Sequence, residues 1–212
     1  MFTYNKVMKI LKYKLLFVVC LISLSILIFG FVNKDKEKII TDFNLQNVNG
    51  DMVSLKNYPD AKGFIVIFTC NHCPFAKLYP PRFNEMNIKY KALGVPLIAI
   101  SSTDTISYEE DTFSKMREKA IREQFNFPFL FDGLQAVAKD FKAQKTPHAY
   151  VIWKKNGNWV VKYNGAIDDN GMEPTKVKAH YVTYAVDELL SEKEVSEKET
   201  KSIGCQIYLR NK

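Results

Sequence analysis

Hydrophobic and polar positions along the 212-residue chain follow two periods. A period of two runs through TDFNLQNVNGDMVSL and breaks at Asn49-Gly50. Alternation around an Asn-Gly step predicts a β-hairpin. GFIVIF (residues 63–68) and VPLIAIS (residues 95–101) are short, unbroken apolar runs, the pattern of strands buried on both faces. FPFLFD reads as a further short strand. HAYVIW and WVVKY form a second hairpin through Asn156-Gly157. Helical spacing appears in DTFSKMREKAIREQF, where Phe113, Met116, Ala120 and Ile121 share a face and Asp111 or Thr112 is placed to cap the start. It recurs in GLQAVAKDF, and in TKVKAHYVTYAVDELL with Val177, Tyr181, Tyr184, Ala185 and Leu189 on one side. PFAKLYPPRFNEMNIKYKAL predicts a helix with Pro74 in its first turn and a kink or break at Pro80-Pro81. Strands thus alternate with helices and an antiparallel hairpin closes the series. That order predicts an α/β fold with a mixed central β-sheet flanked by helices.

One apolar stretch belongs to neither period. Leu15 to Val32 carries no charge and approaches the length needed to cross a bilayer. Lys6, Lys9, Lys12 and Lys14 precede it, whereas Lys34, Lys36 and Lys38 alternate with Asp35 and Glu37. This asymmetry predicts an N-in transmembrane anchor with the rest of the chain translocated. A cleaved signal peptide is the alternative, although Ser23, Ser25 and Gly30 make no clean small-residue cleavage pattern. The expected organisation is a basic leader and anchor over residues 1–37, a domain over 38–190, and a charged tail over 191–212 that carries Cys205. The domain is expected to be extracytoplasmic, membrane-anchored, or periplasmic or secreted after cleavage.

Composition changes this picture little. The chain is 47% hydrophobic and 25% charged, as globular domains are. Its net charge of +7 is spread over leader, helix faces and tail. Nucleic-acid binding calls for basic residues clustered on one face, so no nucleic-acid partner is expected.

The candidate chemistry lies in FTCNHCP, where Cys70 and Cys73 follow the first buried strand with two residues between them. Three readings compete. In a redox centre, a cysteine at a helix start gains from unpaired N–H groups and from the positive end of the helix dipole, which favour the thiolate. A second cysteine one turn on can resolve a mixed disulfide. His72 between them would lower the Cys70 pKa further, and a stabilised thiolate makes the couple more oxidising than thioredoxin's roughly −270 mV. In a metal site, closure takes four ligands, and only Cys205, His148 and His180 remain, without ligand spacing. As a structural staple, so short a loop stabilises little. His180 reads as a surface residue and His148 as the entry to its strand.

From about Ile40 onward the chain resembles the thioredoxin-like superfamily, in its redoxin branch of thiol–disulfide oxidoreductases and peroxiredoxin relatives. VIFTCNHCP resembles the active-site segment, FNLQNVNGDMVSL the N-terminal extension of that branch, and KTPHAYVI the strand led by a cis-proline. The resemblance implies a thioredoxin-like fold in which Cys70 is the nucleophile, Cys73 resolves, Pro147 faces them, and Thr146 and Pro147 hold the substrate backbone. It implies no cofactor and no resident metal. The partners would be protein disulfide substrates and an upstream redox protein, with the membrane engaged through residues 15–32. YNGAIDDN and IGCQI also match a thioredoxin-like subgroup.

Two departures stand out. Thioredoxins carry a buried acid in the strand before the motif, and here that position falls at about Phe64, so an acid elsewhere or a water has to take the Cys73 proton. Peroxiredoxins place Thr three residues before the peroxidatic cysteine. Counting back from Cys73 gives Cys70, and no Arg flanks Thr146-Pro147. Disulfide exchange is therefore the expected activity. A thiol peroxidase, a copper or zinc metallochaperone using Cys70 and Cys73, and a chaperone or binding module are the alternatives. Cys205 is either a free thiol or an auxiliary one, reached if the tail folds back onto the pair.

Overall fold

The computed structural model describes Lys14 and residues 37–210. The expected anchor at Leu15–Val32 lies outside the described residues. No helix among the described residues is long and apolar enough to cross a membrane.

The chain from Glu37 onward clusters into one unit. Its strands are β1 (Ile39–Ile40), β2 (Leu45–Asn47), β3 (Met52–Val53), β4 (Gly63–Phe68), β5 (Leu97–Ser101), β6 (Phe129–Phe131), β7 (Lys145–Thr146), β8 (His148–Lys155), β9 (Asn158–Gly165) and β10 (Cys205–Gln206). The α-helices are α1 (Pro80–Lys91), α2 (Phe113–Arg122), α3 (Ala136–Phe141) and α4 (Tyr181–Leu190). Eight strands make the main sheet in the order β1-β9-β8-β4-β5-β6-β2-β3. β4 and β5, and β5 and β6, run parallel, whereas β8 returns antiparallel to β4. The sheet is therefore mixed, as the alternation of elements predicts.

β4 is central, and all six of its residues are buried. Alternate side chains feed two cores. Ile65 and Ile67 pack with Phe83, Tyr90, Met116 and Val186 on the side of α1, α2 and α4. Phe64, Val66 and Phe68 pack with Val137, Phe141 and Tyr150 on the other side. Each such side chain contributes about 1.5–3 kcal/mol by leaving water, which fixes the end of β4 as a rigid platform. Both predicted hairpins form, β2–β3 and β8–β9. Gly50, Asn156 and Gly157 take the positive φ that their turns require.

Three local expectations need correction. Residues 73–79 form no α-helix but a turn and one 3-10 turn at Ala76–Leu78, and Pro80 and Pro81 occupy the first positions of α1. Proline fits there because the first helical N–H groups have no partner within the helix, so the proline pair starts the helix and does not kink it. In α2 the buried residues are Met116 and Lys119, whereas Ile121 is exposed. The side chain of Thr112 makes no cap, and Asp111 is used elsewhere. In α4 the buried face is Val182, Ala185, Val186 and Leu189, with Tyr184 exposed and Val177 preceding the helix.

Candidate active site

β4 ends at Phe68, and the chain leaves the sheet through Thr69 into Cys70. Both Cys70 and Cys73 are fully buried and pack with Ala76 and the half-buried Cys205. Thr146, at the end of β7, reaches both sulfurs. Its Oγ1 lies 3.1 Å from Cys70 Sγ, and its carbonyl oxygen lies 3.0 Å from Cys73 Sγ as acceptor for that thiol. The Thr146–Pro147 peptide bond is cis, and Pro147 is buried. Thus Thr146, Pro147 and the cysteine pair, distant in sequence, meet at one end of the sheet.

His72 has a different partner from the one its sequence position suggests. Its Nδ1 is hydrogen-bonded to the Asp111 carboxylate, and its ring stacks on Tyr108 at 3.8 Å between centroids. It makes no hydrogen bond to Cys70. A ring nitrogen of His72 nevertheless lies within 4.8 Å of Cys70 Sγ, so the imidazole stands beside the sulfur without bonding to it.

Asp111 is the residue that sequence reasoning missed. It is fully buried, and it accepts from the backbone N–H groups of Asn71 and His72 as well as from the His72 ring. It stands on the 3-10 turn Glu109–Asp111 before α2. Asn71 in turn donates from its side chain to Glu110 O at 2.6 Å. Lys119 completes the surroundings: its Nζ, buried on α2, donates to Cys70 O at 2.9 Å. Burial lowers the Lys119 pKa, while nearby Cys70 and Asp111 oppose that shift. Asp111 is thus a buried acid beside Cys70, brought there by the turn before α2 and not by β4.

The two sulfurs sit in unequal surroundings. Cys73 is held below its ordinary value, first by the hydrogen bond from Cys70 and then, against the cost of burial, by Cys205 and the Ala76 and Cys205 N–H groups. Cys70 is pushed well above its ordinary value, first by its bond to Cys73, then by burial and by the Asp111 charge. The sequence gives the stabilised anion to Cys70 on the premise of a helix start there. With no helix there, the N–H donors converge on Cys73 instead. In the reduced protein, thiolate absorbance at 240 nm is expected to persist at neutral pH and to disappear only in acid, below the ordinary thiol range. Cys73→Ser should remove it; an onset near pH 9 would overturn the assignment.

Cys70, His72 and Asp111 also place one potential metal-ligand atom each within 4.8 Å of one another. The Asp111 oxygens and His72 Nδ1 are already engaged with each other and with the backbone. Three donors also fall short of the four that a closed zinc site takes.

Residues 37–169 match the AhpC/TSA family, over more than half of the chain. The chain belongs to the AhpC/TSA family. The general activity of this AhpC/TSA protein is accordingly that of a thiol-based oxidoreductase or peroxidase, on a thioredoxin-like α/β fold. An uncharacterized conserved protein from Geobacillus kaustophilus is 32% identical, with a TM-score of 0.75 over 83% of this chain and 93% of its own. A hypothetical protein from Sinorhizobium meliloti is 28% identical, with a TM-score of 0.74 over 81% of this chain and 92% of its own. A Chlorobium tepidum protein described as a thiol:disulfide interchange protein, DsbE, shares the fold at 21% identity, with a TM-score of 0.51 over 61% of this chain and 84% of its own. No curated protein matches the chain.

The AhpC/TSA match ends at Asp169, inside YNGAIDDN, whose structural role is now defined. Asp168, almost fully buried, pairs with Arg82 of α1 at 2.5 Å and accepts from Tyr79 OH at 3.1 Å. Arg82 also donates to the carbonyls of Asn170 and Gly171. This clamp fixes the loop that lines a cleft with Phe75, Pro147 and Ile203. His148 leads β8 beside Pro147; burial lowers its pKa to about 4, opposed by its hydrogen bond with Asn164. His180 is exposed.

Proposed function

We propose that this AhpC/TSA protein is a thiol–disulfide oxidoreductase that exchanges disulfides with protein substrates through the Cys70–Cys73 couple. The observation that carries the reading is the convergence of two buried cysteines, a cis Thr146–Pro147 bond and a buried acid at the end of the central strand. In the reducing direction a thiolate attacks the partner's disulfide and forms a mixed disulfide. A second thiolate displaces it, so one cystine is reduced to two thiols while Cys70 and Cys73 are oxidised to a disulfide. Thr146 Oγ1 and the Thr146 carbonyl steady the two sulfurs, while Asp111 and His72 form a hydrogen-bonded pair beside Cys70.

The charge asymmetry around residues 15–32 supports an extracytoplasmic domain over 38–190 behind an anchor or signal segment, with a redox partner in the same compartment. Insulin reduction tests the activity. Cys70→Ser and Cys73→Ser are each expected to lose at least about a hundredfold in rate, ~2.7 kcal/mol of barrier. Turnover within a few-fold of wild type in either variant would sink the reading.

Family membership favours peroxide reduction as the second reading. Among the described residues no arginine is hydrogen-bonded to either sulfur of the pair, and Arg82 is committed to Asp168. Peroxide consumption outpacing insulin reduction would reverse the order of the two readings.

A further inference from the structure

The cysteine pair is closed off by the chain's own C-terminal segment. β10 pairs antiparallel with β7, setting Cys205 against Thr146 and Gln206 against Lys145. Ile207 is buried, and its N–H donates to Gln144 O at 2.8 Å. Further along, the buried Gln135 binds both Tyr208 O, at 2.9 Å, and the Arg210 N–H, at 2.7 Å. Gly204 lies so close to β7 that a Cβ there would collide with the Thr146 carbonyl and the Pro147 nitrogen. This strand sits beside Thr146 and Pro147, where a substrate backbone would be held if the site works by exchange.

Burial makes the position of Cys205 informative. Cys70 and Cys73 are both 0% exposed, so a partner's disulfide cannot meet either sulfur while β10 is seated. Cys205 is half-buried, the least enclosed residue of the three. Its N–H points at Cys73 Sγ across 3.4 Å, and its side chain packs on the pair. Cys73 therefore neighbours both other thiols, the buried Cys70 and the half-buried Cys205. Beside the exposed Ile203, a cleft of about 180 Å³ lined by Phe75, Pro147 and Met172 offers apolar surface to an arriving chain.

We propose that Cys205 is a third redox-active cysteine: it receives the partner's disulfide at the surface, and Cys73 passes the exchange inward to Cys70. This rests on the disulfide-exchange reading above. Cys205 hands its proton to the Cys73 thiolate beside it and attacks one sulfur of the substrate cystine, forming a Cys205 mixed disulfide while the expelled sulfur takes that proton from Cys73. The Cys73 thiolate attacks Cys205 Sγ, forming a Cys73–Cys205 disulfide and releasing the second substrate thiolate. Cys70 then attacks Cys73 Sγ, closing Cys70–Cys73 and returning Cys205 as a thiolate. Two electrons leave the Cys70–Cys73 pair, the protons carried by Cys205 and Cys70 end on the two substrate thiols, and the Cys205 thiolate recovers its proton from solvent.

The test uses the full chain and peptide mass mapping after alkylation. In a glutathione redox buffer, Cys70→Ser protein is expected to accumulate a Cys73–Cys205 bridge. Cys73→Ser protein challenged with insulin should hold its mixed disulfide at Cys205. Cys205→Ser protein should still form the Cys70–Cys73 bridge but reduce insulin about tenfold more slowly. The relay is overturned if folded Cys70→Ser protein forms no such bridge, if the mixed disulfide sits at Cys70, or if Cys205→Ser turns over at the wild-type rate. Each of these leaves disulfide exchange standing as long as the wild-type protein forms Cys70–Cys73 and reduces insulin. Failure of the wild-type protein to do either overturns both readings.

Discussion

Asp111→Ala is expected to destabilise the domain by about 3 kcal/mol, because it leaves buried donors without an acceptor. The carboxylate accepts from two successive backbone N–H groups, Asn71 and His72, and from the His72 ring. A buried donor deprived of its partner costs about 1–3 kcal/mol, and the chain around Asn71 has no secondary structure to take up the loss. The variant also leaves the buried Lys119 ammonium without the one carboxylate in its immediate surroundings that opposes its desolvation most. Urea unfolding should show a lower midpoint at unchanged slope. Asp111→Asn keeps an amide oxygen as acceptor and should recover part of the loss. A midpoint for Asp111→Ala equal to that of wild type would show that Asp111 does not organise the cysteine loop.

Gly204→Val should expose the cysteine pair while leaving the domain folded. The clash it creates is with backbone atoms of Thr146 and Pro147, which cannot rotate aside as a side chain could. β10 must then lift from β7, and the cover over Cys70 and Cys73 goes with it. Reaction of the reduced pair with an aromatic disulfide reagent should accelerate about a hundredfold, as expected when a local opening of ~2.7 kcal/mol no longer has to be supplied. The urea midpoint should fall only modestly, since Ile207 leaves the second core with β10 while the rest of both cores rests on β4 and the helices that flank the sheet. Wild-type reactivity in Gly204→Val would mean that β10 does not govern access.

Much of this architecture is legible in the sequence because local pattern and tertiary role coincide. GFIVIF reads as a buried strand and is one, since a run apolar on both faces is stable only between two cores. Asn49-Gly50 and Asn156-Gly157 mark turns for a backbone reason that no tertiary contact overrides. The misreadings have the opposite character. Lys119 is buried where Ile121 sits at the surface, because a hydrogen bond to Cys70 O at 2.9 Å outweighs the helical pattern. Pro80-Pro81 reads as a kink only if the helix has already begun. Asp111 reads as a cap because its position before a helix is local, whereas its partners lie 39 and 40 residues away. Cys205 meets Cys73 across 132 residues, and no spacing rule reaches that far.

The C-terminal strand is also a competitor. Because it is joined to the domain, it challenges any incoming strand at an effective concentration that for short flexible tethers is about millimolar. A partner that brings an extended segment to pair with β7 can contest the place. A small thiol such as glutathione offers no strand and wins nothing by being abundant. Discrimination between protein and small-molecule partners would then come from the covalent attachment of β10, and lengthening the tether ahead of Ile203 would relax it.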